Sequence, residues 1–168
     1  MRSRIEKVAV LGSGIMGSGI AAQLANAGVP CLMLDMVPPE LTPEDQKAGL
    51  KLEDKRFRNK FALKGLEAIK KGRPALLYSP KSLQLIAVGN FEDDFHRLAE
   101  CDWVIEVVVE RLDIKQKVFE RVEKIVSPGT IVSSNTSGLA IHGMVEGRPE
   151  SFKKNFLVTH FFNPVRYM

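Results

Sequence analysis

The chain has 168 residues, of which 45% are hydrophobic and 26% charged, proportions that are typical of one globular domain. Its formal net charge is +4, but basic and acidic residues are interleaved, which argues against a nucleic-acid-binding protein and is compatible with a phosphate-bearing small ligand. No apolar run reaches the roughly 18 residues of a membrane span, and the N-terminus lacks the apolar segment of a secretory signal, so we expect a cytoplasmic protein. Cys31 and Cys101 belong to no ligand pattern, and neither a metal site nor a disulfide is predicted.

The first 35 residues predict a β-α-β unit. Residues 7–11 are a short apolar run that ends at a glycine loop, as a buried parallel strand does. Residues 15–26 have a helix-favouring composition, and Ala27-Gly28 supplies a left-handed stop. Residues 30–35 follow as a second strand.

Residues 37–82 depart from this alternation. Pro38-Pro39 breaks the chain, and residues 53–71 are charged and have the apolar spacing of a long helix. We therefore expect a helical insertion that leaves the sheet after the second strand. A strand at residues 82–88 brings the chain back.

Strands and helices alternate again in the second half. Such alternation is typical of a doubly wound α/β fold, in which helices cover both faces of a mostly parallel sheet. We interpret residues 1–168 as one such domain. The predicted elements are a short acidic helix at 91–99, strands at 103–109, 130–134 and 155–162, and helices at 114–126 and 139–144.

Residues 12–17 read Gly-Ser-Gly-Ile-Met-Gly between the first strand and the first helix. In a G-x-G-x-x-G loop the first glycine permits a tight turn, the second lets the backbone approach a pyrophosphate, and the third lets helix and strand pack closely. The helix N-terminus then faces the phosphates with free N–H groups. The loop indicates a Rossmann domain, and the cofactor-binding candidates are Gly12, Ser13, Gly14, Ile15, Met16 and Gly17.

Asp35 ends the second predicted strand, at the position where a carboxylate binds the ribose of the cofactor. It would accept a hydrogen bond from the 2′-hydroxyl of NAD and repel the 2′-phosphate of NADP. No basic residue follows until Lys47. We therefore predict NAD as the cofactor. FAD, which uses the same loop, and a merely solvated carboxylate remain alternatives.

Three further segments complete a resemblance to the NAD-binding domain of 3-hydroxyacyl-CoA dehydrogenases. They are residues 105–115 (Ile-Glu-Val-Val-Val-Glu-Arg-Leu-Asp-Ile-Lys), 133–137 (Ser-Ser-Asn-Thr-Ser) and 160–164 (His-Phe-Phe-Asn-Pro). With the glycine loop they span nearly the whole chain in the family's order. The insertion at 37–82 is similar to that of large bifunctional members that also carry an enoyl-CoA hydratase part. The resemblance implies NAD-dependent oxidation of L-3-hydroxyacyl-CoA to 3-ketoacyl-CoA in fatty-acid β-oxidation.

The resemblance also implies which residues are catalytic. His160 matches the family's catalytic base, and Ser137 matches the serine that hydrogen-bonds the substrate hydroxyl close to the nicotinamide. Asn163 matches an asparagine that contacts cofactor and substrate. Without the family, a histidine at a strand end is more often a packed or capping residue, Ser137 fits a helix N-cap, and Asn163 fits a turn.

Further cofactor contacts are implied after the fourth predicted strand. Glu110 and Lys115 match positions near the nicotinamide ribose, and Asn135 is expected close to the cofactor. A carboxylate such as Glu110 at the end of a buried strand lies at the ligand crevice of an α/β sheet. Lys115 alone equally fits a solvated charge of its helix.

Two departures from the family limit what is carried over. The CoA-binding residues of the insertion have no clear counterpart, and Lys70, Lys71 and Arg73 are basic candidates only, with a solvated helix face as the alternative. The glutamate that orients the catalytic histidine and the helical C-terminal domain both lie beyond Met168. We therefore expect the chain to be part of a longer, homo-oligomeric enzyme and, by itself, to bind NAD with little or no turnover.

Two other functions stay open. Dehydrogenases of the 3-hydroxyisobutyrate type use the same glycine loop on short 3-hydroxy acids, but they lack the His-Phe-Phe-Asn-Pro segment. A non-catalytic NAD-binding scaffold would keep the loop and oxidise no 3-hydroxyacyl-CoA.

Overall fold

A sheet of six parallel strands runs through the computed structural model, which describes residues 4–168. The strands are β1 (Val8–Leu11), β2 (Cys31–Asp35), β3 (Ile86–Asn90), β4 (Trp103–Glu106), β5 (Ile131–Ser134) and β6 (Phe156–Val158). Their order in the sheet is β3-β2-β1-β4-β5-β6. The order reverses between β1 and β4, which is where ligands bind in doubly wound sheets, and it confirms the predicted fold.

The predicted helical insertion lies between β2 and β3. It contains α2 (Pro43–Lys47), α3 (Lys55–Arg58), α4 (Lys60–Lys71) and a 3₁₀ helix (Pro80–Leu85). The predicted long helix at 53–71 is interrupted at Asn59, because its side chain turns inward and accepts a hydrogen bond from Asn90 Nδ2 at 2.6 Å. The predicted strand at 82–88 is also wrong in its bounds, since the 3₁₀ helix occupies its first half.

The remaining helices cover both faces of the sheet. They are α1 (Ile15–Asn26), α5 (Leu112–Glu123), α6 (Ile141–Met144), α7 (Glu150–Lys153) and a 3₁₀ helix (Phe95–Glu100), which replaces the acidic helix predicted at 91–99. Nowhere in residues 4–168 does a helix combine the length and the apolar composition needed to cross a membrane.

Alternate residues of β1 divide the core into two layers, because successive side chains of a strand point to opposite faces. Leu11 belongs to the layer that contains Phe119 of α5, and Val10 belongs to the layer that contains Ile20 of α1. All four side chains are fully buried. Burial on both faces explains why the strands read as continuous apolar runs.

Both cysteines are buried and free. Burial raises the pKa of the Cys101 thiol to about 11, and it raises the pKa of Cys31 further. Both side chains are therefore uncharged thiols at neutral pH.

Two predicted strands end early because the chain leaves the sheet to form loops at its carboxyl edge. The strand predicted at 103–109 ends at Glu106, whose Oε1 accepts a hydrogen bond from the N–H of Val108 at 2.7 Å. The strand predicted at 155–162 ends at Val158. Both shortened ends lead directly into loops that contain site residues predicted from the sequence.

Candidate functional site

The glycine loop follows β1, and its three glycines lack side chains for different reasons. Gly12 has a φ of +111°, and a Cβ there would lie 2.6 Å from the carbonyl oxygen of Val107. A Cβ on Gly17 would lie 1.9 Å from the carbonyl oxygen of Gly12. A Cβ on Gly14 would meet no atom within 4 Å, and its φ of −64° suits any residue. Protein packing thus accounts for two glycines, while Gly14 leaves space for a ligand.

The space in front of Gly14 faces the start of α1. Gly14 is the N-cap of this helix, and no side chain in the described part of the chain caps it. The N–H groups of the first helical turn therefore remain available, and they carry the positive end of the helix dipole. This combination fits a pyrophosphate, which is the central group of a dinucleotide.

Asp35 is held rigidly beside the loop. Its Oδ2 accepts hydrogen bonds from the backbone N–H of Ser13 at 2.7 Å and from the Ser13 hydroxyl at 2.5 Å, and its Oδ1 accepts one from the N–H of Met36 at 2.7 Å. An ionised carboxylate has about four acceptor positions, so at least one stays free for a ribose hydroxyl. Asp35 lines a cavity of about 580 Å³, which we call the Asp35 cavity.

The insertion forms the opposite wall of the Asp35 cavity. A Cβ on Gly65 of α4 would lie 2.8 Å from Ser13 Cβ, so this glycine lets α4 pack directly against the glycine loop. Lys64, the preceding residue, is exposed and lines the cavity. It forms no ion pair within residues 4–168.

The predicted basic candidates of the insertion lie elsewhere. Lys70 and Lys71 are exposed and pair with Glu67 of the same helix at 3.9 and 2.9 Å. Neither they nor Arg73 lines the Asp35 cavity. The arrangement fits the solvated helix face that the sequence left as the alternative. Of the basic residues of the insertion, Lys64 is the one that lines the Asp35 cavity.

A second cavity, of about 520 Å³, lies on the other side of the α1 N-terminus, and we call it the His160 cavity. It brings together residues that are far apart in the sequence. Three loops surround the first residues of α1, and the predicted site residues that they supply are Glu110, Asn135, Ser137, His160 and Asn163. Asn163 and Gly14 line both cavities, so the two form one continuous site.

His160 is exposed to the His160 cavity, and the backbone on both sides of it is fixed to β5. The N–H of Thr159 donates to the carbonyl of Ser134 at 3.1 Å, and the N–H of Phe161 donates to Asn135 Oδ1 at 2.8 Å. The imidazole packs on the ring of Phe162, with 4.7 Å between centroids. No carboxylate of residues 4–168 binds the imidazole, so its ring nitrogens are accessible to a ligand in this cavity.

Glu110 connects the loop after β4 to the loop after β5. Its Oε1 accepts hydrogen bonds from the hydroxyl of Thr136 and, at 3.3 Å, from the N–H of Ser137. Partial burial acts to raise the pKa of Glu110, but the Thr136 hydrogen bond and the charge of Lys115 outweigh it, so the pKa lies below its usual value. Glu110 is therefore ionised at neutral pH.

Ser137 is exposed and caps no helix, because α6 has Ala140 as its N-cap. Thr136, not Ser137, stabilises the turn in this loop. Its hydroxyl oxygen accepts a hydrogen bond from the N–H of Leu139 at 3.1 Å. The alternative interpretation of Ser137 as an N-cap is thus wrong, and its hydroxyl is free to bind a ligand.

One interpretation of the sequence makes Lys115 a solvated charge at the surface of its helix. The structure contradicts this interpretation. The side chain of Lys115 is fully buried, and its Nζ lies 2.7 and 2.9 Å from the two carboxylate oxygens of Glu106. Sequence reasoning missed Glu106. The sequence nevertheless contains an indication of its role, because Glu106 is a single acidic residue inside an apolar strand. A buried carboxylate needs a partner, which predicts a nearby basic side chain.

Comparison with known proteins places the chain among dehydrogenases. A family model described as "3-hydroxyacyl-CoA dehydrogenase, NAD binding domain" matches residues 7–168. The whole chain is 51% identical to "Probable 3-hydroxyacyl-CoA dehydrogenase" of Bacillus subtilis and covers 21% of that protein. Over 167 residues (98% of the chain) it is 38% identical to "Fatty acid oxidation complex subunit alpha" of Psychrobacter cryohalolentis, of which it covers 20%.

A solved structure agrees with these sequence matches. The 3-hydroxybutyryl-CoA dehydrogenase of Escherichia coli K12 superposes with a TM-score of 0.68 and 26% identity, covering 98% of this chain and 31% of that chain. The chain spans about a fifth of the length of the two curated relatives. The matched residues include both cavities.

Proposed function

The chain belongs to the 3-hydroxyacyl-CoA dehydrogenase family as an NAD-binding domain, and we propose that its two cavities bind NAD for the oxidation of an L-3-hydroxyacyl-CoA to the 3-ketoacyl-CoA. The observation that carries this proposal is the convergence of His160, Ser137 and Asn163 on the uncapped N-terminus of α1. The family match favours this reaction over that of the 3-hydroxyisobutyrate type.

NAD would lie across the edge of the sheet, with its pyrophosphate at Gly14. The adenosine ribose is assigned to the Asp35 cavity, where the remaining acceptor position of Asp35 binds a hydroxyl. A 2′-phosphate would be repelled by the carboxylate, so we expect the site to prefer NAD to NADP. The nicotinamide ribose is assigned to the His160 cavity, near Glu110 and Asn135.

The chemistry follows from what the side chains of the His160 cavity can donate and accept. Bound NAD would supply the hydride acceptor for C3 of the substrate. His160 accepts the proton of the C3 hydroxyl and returns it in the reverse direction, because imidazole exchanges protons near neutral pH. Ser137 holds the same substrate oxygen by a hydrogen bond, and Asn163 orients substrate and cofactor at the junction of the cavities.

The first experiment titrates the chain with NADH and, separately, with NADPH. Energy transfer from Trp103, the only tryptophan, to the reduced nicotinamide reports binding. We expect NADH to bind and NADPH to bind more weakly. Equal affinity for both would contradict the role of Asp35, and a folded chain that binds neither would contradict the cofactor assignment.

The second experiment tests the reaction. The low turnover that the sequence predicts calls for a single-turnover measurement, with the protein in excess over NADH and acetoacetyl-CoA added. We expect His160→Gln to abolish NADH oxidation and to leave NADH affinity unchanged. Oxidation that persists in this variant would remove His160 from the mechanism. A longer protein that contains this chain, binds NADH and oxidises no 3-hydroxyacyl-CoA would favour the scaffold alternative.

Three properties of the whole protein are proposed from the family alone. They are attachment to an enoyl-CoA hydratase part, assembly into a homo-oligomer and a cytoplasmic location. The match to a fatty acid oxidation complex subunit supports the first. The other two stay predictions.

A further inference from the structure

Arg166 connects the chain after β6 to the insertion. Its Nη1 donates hydrogen bonds to the backbone carbonyls of Ala75 and, at 3.3 Å, of Leu77. Its Cζ lies over the rings of Tyr78 and Tyr167, at 4.5 and 5.1 Å from their centroids, which are distances of cation–π contacts. No carboxylate in the described part of the chain pairs with this guanidinium. Charged hydrogen bonds to backbone carbonyls and contacts with aromatic rings therefore hold the side chain.

Residues 75–78, which we call the Leu76 loop, are also bound from α1. The side-chain amide of Asn26 donates a hydrogen bond to the carbonyl of Leu76 at 2.9 Å, and its Oδ1 accepts one from the N–H of Tyr78 at 2.8 Å. Arg166 binds the carbonyls on either side of Leu76. The two side chains thus use alternate backbone groups of one short segment and hold it between the end of α1 and the chain after β6.

The contacts of Arg166 lie directly beside two residues that line the Asp35 cavity. One is Leu76, which its two carbonyl acceptors flank, and the other is Val165, which precedes Arg166 in the chain. Arg166 itself lines neither cavity. It can therefore affect the shape of the Asp35 cavity only through the residues that it holds.

Val165 is held independently of Arg166. Its side chain is 7% exposed, and a Cβ on Gly19 would lie 2.9 Å from its Cγ2, so the valine packs closely on α1. The Leu76 loop has no comparable packing on this side and reaches Val165 through the contacts of Arg166. Loss of the guanidinium would therefore move the loop and leave Val165 in place.

We propose that Arg166 is a positioning residue, which holds the Leu76 loop close to Val165 and so sets the width of the Asp35 cavity for the adenosine half of NAD. This inference rests on the proposed function, because it places the adenosine ribose in this cavity. Without Arg166 the loop keeps its hydrogen bonds to Asn26 only. Binding of NAD must then order the loop, and a site that is less preorganised has a lower affinity.

The test substitutes Arg166→Met, which keeps an unbranched apolar stem and removes the donors and the charge. We expect the Kd for NADH, measured by calorimetry, to rise about fivefold, which is within the range for residues that act on a site without contacting its ligand. Arg121→Met is the matched control. Arg121 donates to the carbonyl of Phe91 at 2.5 Å and lies over the ring of Phe95 at 4.4 Å, but it lines neither cavity.

The control separates positioning from stability. We expect Arg121→Met to lower the free energy of unfolding about as much as Arg166→Met, because the same kinds of contact are lost, and to leave the Kd for NADH unchanged. An equal rise of the Kd in both variants would show that the contacts of Arg166 are only structural and would overturn the proposal.

ADP-ribose locates the effect within the site. It contains the adenosine and the pyrophosphate of NADH but lacks the nicotinamide, so it fills the Asp35 cavity as NADH does. We expect Arg166→Met to weaken the binding of ADP-ribose and of NADH by the same factor. A loss that is confined to NADH would place the effect in the His160 cavity and would overturn the proposal.

A double-mutant cycle with Leu76→Ala tests the route of the effect. If Arg166 acts by placing the side chain of Leu76, then Arg166→Met has little further effect on the Kd once that side chain is truncated. Additive effects would overturn the proposal. Normal NADH affinity of Arg166→Met would do the same while the proposed function stands, whereas an unaltered chain that binds no NADH would overturn both.

Discussion

The two cavities on either side of the α1 N-terminus are held in different ways. The glycine loop, which lines the Asp35 cavity together with α4, is held by close packing, in which Gly17 lies against the carbonyl of Gly12 and Gly65 brings α4 against Ser13. The His160 cavity is shaped by side chains, since Glu110 and Asn135 connect loops that follow different strands.

This difference decides which changes each cavity tolerates. Close-packed backbone has no room for an added atom, but it does not depend on one hydrogen bond. Loops joined by side chains can accommodate added volume, but they lose their geometry when one of the joining groups is removed. Insertion of atoms should therefore damage the first region, and deletion of atoms the second.

The largest expected effect comes from Gly17→Ala. Its Cβ would lie 1.9 Å from the carbonyl oxygen of Gly12, so β1 and α1 must move apart. We expect a loss of about 3 kcal/mol in the free energy of unfolding, the upper end for overpacking. Denaturant unfolding measures it.

Gly14→Ala is the control within the same loop. A Cβ there meets no atom within 4 Å, so stability should stay nearly unchanged while NADH affinity falls, because the methyl group occupies the space assigned to the pyrophosphate. A stable Gly17→Ala, or a Gly14→Ala with full NADH affinity, would contradict the distinction between packing and ligand space.

Asp35→Asn should have the next largest effect, chiefly on binding, since the only internal bond that it loses is the exposed one from the N–H of Met36. The amide keeps an acceptor for Ser13 but loses the charge, so we expect NADH affinity to fall by about 1.5 kcal/mol, the difference between charged and neutral hydrogen bonds. The preference for NADH over NADPH should narrow, since the 2′-phosphate is no longer repelled. Titration with both cofactors checks this, and an unchanged preference would place the ribose elsewhere.

The same difference explains what the sequence could predict. The wall of the Asp35 cavity that contains Gly14 and Asp35 comes from one contiguous β-α-β unit, in which the spacing from Gly12 to Asp35 is set by the lengths of the predicted elements. Prediction of the His160 cavity requires the relative register of β4, β5 and β6, because its residues follow these three strands. The family resemblance identified the residues that line this cavity. No local sequence pattern predicts that the side chain of Glu106 contacts Lys115 and not solvent.

The boundaries that were wrong have a related cause. Asn59 interrupts the predicted helix because it binds Asn90, a residue 31 positions away, and local helix propensity does not contain that contact. The last strand ends at Val158 because Phe161 bonds to the side chain of Asn135 instead of to a neighbouring backbone. Long-range side-chain contacts overrode local preference in both cases.

Asn135→Ala tests the side-chain half of the comparison. It removes the acceptor for the N–H of Phe161, which directly follows His160. We expect the segment to open more readily by about 1 kcal/mol, the usual net contribution of one hydrogen bond. Hydrogen exchange at the Phe161 amide should accelerate, while amides of α1 keep their protection. An equal acceleration in α1 would mean that the whole domain had loosened.

The smallest expected effect concerns Lys64, the lysine of α4 that lines the Asp35 cavity without an acidic partner in residues 4–168. If it contacts a phosphate of the bound ligand, Lys64→Ala weakens binding by about 0.5 kcal/mol, as for other exposed ion pairs, and more at low salt. Lys71→Ala, which removes a lysine paired with Glu67, should change nothing. Weaker NADH binding assigns the contact to NAD, and weaker binding of acetoacetyl-CoA alone assigns it to CoA. If neither affinity changes, Lys64 is a solvated charge, and the wall formed by α4 contributes shape but no electrostatic attraction.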